Sequence, residues 1–146
     1  MKEKIASLYS ANNNKAYKVL LELESITTES NELYNYFDEL LKMLDNDKIY
    51  VKTRGFRLVC GLAKWDTESK IDKNIDKILN TLDDEVGISV RQYLQALHLI
   101  LMYKIELNDK IETKLKNLGL SKYKDTLKPL IQKDIDEILG DYTLYG

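Results

Sequence analysis

The chain carries one cysteine, one histidine and one proline (Cys60, His98 and Pro129) in 146 residues. A single cysteine excludes an internal disulfide and a cysteine-rich metal site, and it fits a reducing compartment. One Cys and one His also fall short of the several ligands that a tetrahedral metal site or an iron–sulphur cluster needs. The expectation is therefore no metal and no cofactor. One proline and six glycines leave few helix breakers. Strand signals are missing too: there is no sustained period-2 run and no Asn-Gly or Asp-Gly turn. No stretch approaches the roughly 18 uncharged apolar residues of a membrane span. MKEKIASLYS lacks the apolar core of a signal peptide. These absences predict a cytoplasmic protein without membrane contact. A net charge of −2 gives no global pull toward nucleic acid. No G-x-G-x-x-G, Walker A or H-E-x-x-H motif is present, and Asp83-Asp84-Glu85 lacks the pattern of a calcium loop.

What is present is helix-forming. Hydrophobic residues make up 44% and charged residues 32%, enough of both for a folded chain rather than a disordered one. The length suits one domain, 1–146. Apolar positions at 3.6-residue spacing predict helices over about 2–10, 14–26, 31–45, 48–65, 68–83, 89–104, 108–118 and 125–139. Asn12 to Asn14 should cap the second helix, and Asp66 or Thr67 the fifth. Ser89 and Gln92 have the spacing of a capping box. Gly119 suits a left-handed C-cap, and Pro129 fits only in a first turn. Gly140 should end the last helix, leaving DYTLYG as a tail.

Two central segments share a plan. Residues 33–65 and 71–104 each have an amphipathic helix, a Leu-Asp-rich turn, an arginine and a more apolar second helix. Leu40 matches Ile78, Leu44 matches Leu82, Phe56 matches Tyr93 and Leu62 matches Leu99. A unit of this size cannot bury its apolar face alone and must stack on its neighbours. The expected fold is all-α: a right-handed α-α superhelix, a solenoid of about four helix pairs. Asp45 or Asp47 with Val51 and Arg54, and Asp83 or Asp84 with Val90 and Arg91, resemble the acidic turn and Val-x-Arg or Val-Arg of HEAT repeats. VKTRGFRLVCGLAKWDTESKID and ISVRQYLQAL resemble a small group of uncharacterised bacterial HEAT-like proteins, some of which carry the label SufBD. The resemblance implies the HEAT/ARM-like fold and an interaction role. The iron–sulphur chemistry in that label does not suit one Cys and one His.

Function is thinly written. His98 lies on an apolar helix and reads as structural, and Cys60 reads as a buried, inert thiol. No residue is assigned to catalysis. Charge is segregated, however. The fourth helix carries Lys48, Lys52, Arg54, Arg57 and Lys64 with no acid, while its neighbours hold Glu32, Asp38, Glu39, Asp72, Asp76 and Asp83. Arg54, Arg57 and Lys64 share a helix face, which Arg91, Gln95 and His98 could continue on the sixth helix. The bland alternative is a solvated basic face, with Arg54 and Arg91 bonding an acidic turn or a neighbouring carbonyl. Arg57 and Lys64 are expected to be exposed on the concave side. The favoured reading is a non-enzymatic module that binds a protein or acidic peptide on that side. Second comes a nucleic-acid-binding repeat protein resembling the HEAT-like DNA-alkylation-repair proteins.

Overall fold

The computed structural model describes residues 1–142. Among these residues there are helices and no strand. The α-helices are α1 (Lys2–Ser7), α2 (Asn13–Glu29), α3 (Phe37–Lys42), α4 (Ile49–Gly61), α5 (Lys70–Lys73), α6 (Ile75–Asn80), α7 (Gly87–Tyr103), α8 (Asn108–Lys116) and α9 (Lys128–Tyr142). None is long and apolar enough to cross a membrane.

Four long helices form an inner row. α2 packs on α4, α4 on α7, and α7 on α9. An outer layer lies behind them. Glu32–Tyr36 pack on α2, residues 37–45 on α4, Thr81–Asp83 and Ile105–Leu107 on α7, and α8 on α9. The inner helices are apolar on two sides because they have neighbours on two sides. Along α4, Val51, Phe56, Leu58, Val59 and Cys60 are all buried. Phe56 and Tyr93, matched positions of the two sequence units, meet with ring centroids 4.7 Å apart. Gly55 permits a close approach of α4 to the outer layer. A Cβ there would lie 2.5 Å from the Met43 Cβ and 3.1 Å from the Leu40 carbonyl oxygen. Leu41 and Leu97, each placed in the core by its periodicity, are buried.

The outer layer departs from the expected continuous helices. Residues 31–45 divide into a 3₁₀ segment (Glu32–Tyr36), α3 and a second 3₁₀ turn (Met43–Asp45). Residues 68–83 divide into α5, α6 and a 3₁₀ turn (Thr81–Asp83). Short 3₁₀ pieces let an outer strip follow the inner row without a long straight rod. The expected 48–65 helix likewise stops at Gly61 and ends in a 3₁₀ turn, Ala63–Trp65.

The caps are partly as expected. Asn12 accepts from the Lys15 N–H. Asp66 reaches forward to accept from the Lys70 and Ile71 N–H groups, both at 2.8 Å, while Ser69 takes the left-handed turn before α5 at φ 53°. The Ser89–Gln92 capping box does not form, because α7 starts earlier, at Gly87. Gly119 is not left-handed, since no described glycine has positive φ. Pro129 does sit in the first turn of α9, where its missing N–H needs no partner. Gly140 does not end that helix, which runs on to Tyr142. Of the expected tail, 143–146 lie outside the described residues.

A candidate binding groove on the inner row

Three stripes of side chains face one another across the inner row. On α2 the stripe is Tyr17, Glu24 and Thr28. On α4 and the turn after it, the stripe is Tyr50, Arg57, Gly61 and Lys64. On α7 it is Gln92, Gln95, Leu99 and Tyr103. Spacings of three, four and seven put each set on one helix face. Between them run three adjoining depressions of about 550, 400 and 170 Å³, all lined in part by Arg57. Tyr17, Leu99 and Tyr103 are exposed there, so large apolar surface borders the groove. The matched Leu62 is wholly buried, whereas Leu99 is 36% exposed, so these two matched positions differ in burial. Leu62 packs beneath α4, but Leu99 is on the open side of α7.

Arg57 is the centre of the groove. Its Nε and Nη2 donate to Glu24 at 3.0 and 2.8 Å, and its Nη1 donates to the Gln92 side-chain oxygen at 3.3 Å. The Tyr17 ring lies 5.9 Å away. Burial works against its charge, and the Glu24 carboxylate more than offsets this, holding the guanidinium above its ordinary range. The expectation of a freely exposed Arg57 is therefore corrected: it is half-buried in a two-pronged ion pair joining α2 to α4.

Lys64 is exposed, as expected, but engaged. Its ammonium donates to the Thr28 carbonyl at 2.6 Å, and the Trp65 indole donates to the Thr27 carbonyl at 2.6 Å. Both fill carbonyls that the last turn of α2 leaves without helical partners.

Arg54 is 6% exposed and does not pair with an acidic turn. Its Nη1 donates to the Leu8 and Ser10 carbonyls at 2.8 Å each, and its Nη2 to the Asn13 side-chain oxygen at 3.0 Å. It stacks on Tyr50 at 4.8 Å. Burial pulls its pKa below the ordinary arginine value, Tyr50 offsetting part of this.

The α7 candidates divide. Gln95 is exposed and lines the groove with Arg57. Arg91 turns to α9, where it donates to the buried Asp134 at 2.7 and 3.2 Å. That bond is the main reason its pKa is raised. With Gln95, Arg91 borders a separate depression of about 260 Å³. His98 is half-buried, is engaged in contacts of its own, and does not line these depressions. The structure thus gathers Arg54, Arg57, Lys64 and Gln95, and separates Arg91 and His98 from them.

The groove residues that the sequence did not single out are Tyr17, Glu24, Tyr50, Gln92, Leu99 and Tyr103. Only the seven-residue step from Tyr17 to Glu24 hinted at a second face on α2. Among the described residues, no group of three or more His, Cys, Asp or Glu side chains could hold a metal ion. What the arrangement offers is recognition: guanidinium and amide donors on the floor, aromatic and aliphatic rims. No protein-family model, curated protein or solved structure matches the chain.

Proposed function

We propose that this chain is a non-enzymatic, HEAT-like interaction module, a right-handed superhelix of about four helix pairs, that binds a protein segment along the inner groove. The observation that carries the reading is the continuity of that groove across α2, α4 and α7, bordered by the exposed Tyr17, Leu99 and Tyr103. Contiguous apolar surface rimmed by polar groups is what interaction sites present. The repeated outer-to-inner plan supports the HEAT-like part, and the single buried thiol suits a cytoplasmic setting.

The groove follows the helix axes from Tyr50 to Lys64, which at 1.5 Å per residue is about 21 Å. An extended segment of about six residues spans that length. The test is to pan a random dodecapeptide display library on the immobilised protein and to titrate an enriched peptide by NMR. Shifts should concentrate at Tyr17, Gln92, Gln95 and Leu99, with Asp76 and Lys110 on the outer layer unmoved. Failure of any peptide to enrich, or shifts centred on the outer layer, overturns the proposal.

A further inference from the structure

The two ends of the groove differ in chemistry. At one end the N-terminal turns of α2, α4 and α7 converge, since Asn13, Tyr50 and Ser89 all line the same depression. The side chains there that carry charge are Arg54 and Arg57, both cationic. Arg54 is more than nine-tenths buried, and its three hydrogen-bond acceptors are neutral: two carbonyls and an amide oxygen. Among the described residues it joins no ion pair. A buried cation held only by neutral groups keeps an unanswered field beside the groove. Helix ends add to that field. The N-cap of α4, Lys48, makes no side-chain capping bond and its first turn holds no acid, whereas at the start of α7 the Asp84 carboxylate accepts the Val86 N–H at 2.9 Å, so the contribution comes mainly from α4. The groove carboxylate, Glu24, lies further along and is already bound to Arg57.

We propose, resting on the peptide-groove reading, that this end is a receptor for a carboxylate side chain, so that the partner segment is an acidic peptide, and that Glu24 is the internal competitor for Arg57. An incoming Asp or Glu meets the exposed edge of Arg57 in the field of Arg54 and the N-terminal end of α4. Arg57 then exchanges Glu24 for the ligand, or shares itself between them. Tyr17 and Tyr50 flank the carboxylate, and the residues that follow it run toward the apolar Leu99–Tyr103 end. Charge complementarity selects the occupant, because the end is positive in a chain whose net charge is −2.

The competitor role gives a sign that a general sticky groove would not. Peptides enriched from the random display library should carry Asp or Glu above the library frequency. Changing that residue to Asn or Gln in a fluorescein-labelled copy should weaken binding by about tenfold in anisotropy titrations, the size of one charge-assisted pair. Arg57→Gln should weaken the acidic peptide similarly, and Arg57→Lys should restore part of the loss. Glu24→Gln should tighten it by roughly threefold, because a partly exposed ion pair is worth only a few tenths to 1 kcal/mol. Thermal melts confirm that each variant is folded, and Lys110→Gln on the outer layer serves as the neutral control. If enriched peptides bind the groove without an acidic residue, or Glu24→Gln leaves or weakens acidic-peptide affinity, this inference falls while the groove reading stands. If no peptide enriches, both fall. If fluorescent oligothymidylate binds with a steep salt dependence and displaces the peptide in an Arg57-dependent way, the site serves a phosphate backbone and the acidic-peptide assignment is overturned.

Discussion

Replacing Lys104 with methionine should destabilise the fold more than any single change on the groove. Its ammonium is buried where the end of α7 meets the connection into α5. It contacts Asp72 at 2.7 Å, Asp66 at 3.3 Å and Glu106 at 3.5 Å. Asp66 has no exposed side-chain surface, and it also accepts the Tyr34 hydroxyl at 2.6 Å and the two N–H groups that start α5. One cation thus ties three places together: the outer 32–36 segment through Tyr34, the α5 cap, and α7. Burial works against the Lys104 charge, but Asp72 and Asp66 more than offset it, holding the ammonium above the ordinary lysine range. Burial pushes Asp72 up, and Lys104 with Glu106 brings it below the usual carboxylate value. Removing the cation leaves the buried Asp66 charge without its ion pair, a loss that costs about 3–5 kcal/mol. The three remaining donors on Asp66 put the expectation at the lower part of that range. The exposed Glu106 adds little. Against a total near 10 kcal/mol for a chain this size, the effect is plain in urea melts. Its pH dependence carries the sign. A raised lysine pKa stabilises fully below the unfolded value and is lost as pH climbs through the folded one. A lowered Asp72 pKa stabilises above the unfolded value and is lost as pH falls through the folded one. The gap between parent and Lys104→Met should therefore be widest between about pH 5 and pH 9 and narrow on either side. A gap below about 1 kcal/mol at neutral pH, or one that does not narrow toward high pH, would refute the network.

Gly55→Ala should cost about 1–3 kcal/mol, because the new methyl meets the Met43 Cβ and a backbone oxygen, while Gly119→Ala, with nothing within 4 Å, should be near neutral in the same melts. Leu97→Ala and Leu41→Ala should each cost about 2–5 kcal/mol, with Leu41, at 9% exposure, the smaller. Burial pushes the Cys60 thiol well above its ordinary pKa. It should stay silent to Ellman's reagent in the native protein and react once urea unfolds it. A stoichiometric reaction without denaturant would show that the α4 core opens.

Helix content and core faces were legible because they depend on local spacing. Phe56, Val59, Cys60 and Ala63 follow one another at helical spacing of three, one and three, and all four are buried. What failed was the reach of long side chains. Arg54 and Arg91 occupy matched places in the two units, yet Arg54 turns back to the α1–α2 connection and Arg91 forward to α9. Spacing gives the face on which an arginine leaves its helix, not which neighbour offers acceptors. Arg54 finds carbonyls freed by the end of α1, and Arg91 finds a carboxylate. The groove was hidden for a related reason. Tyr17, Arg57 and Gln92 come from three helices, so no local pattern joins them. Glu24 cancels a charge that, read along α4 alone, looked free.

The outer layer shows how the stacking is held in register. Asp38 and Asp45 bind Lys70 and Lys77, at 3.3 and 2.6 Å. One layer on, Asp76 and Asp83 bind Lys110 and Lys114, at 2.9 and 2.7 Å. The second acidic pair repeats the first 38 positions later, a regularity present in the sequence but concealed among many acids. Each rung is largely exposed and contributes only a few tenths to 1 kcal/mol, so the ladder cannot drive folding. It does discriminate. In each layer the two aspartates are two helical turns apart, so sliding a segment by one turn would break both pairs together. Apolar burial tolerates such a slip better than charge does, because one leucine substitutes readily for another. Lys70, Lys77, Lys110 and Lys114 are thereby each matched with an acid of the preceding segment. On the inner row Arg57 pairs with Glu24, Lys52 with Asp84 and Arg91 with Asp134, while Arg54 meets only carbonyls and an amide oxygen. That asymmetry leaves the Arg54–Arg57 end of the groove as the place where an acidic partner has most to gain.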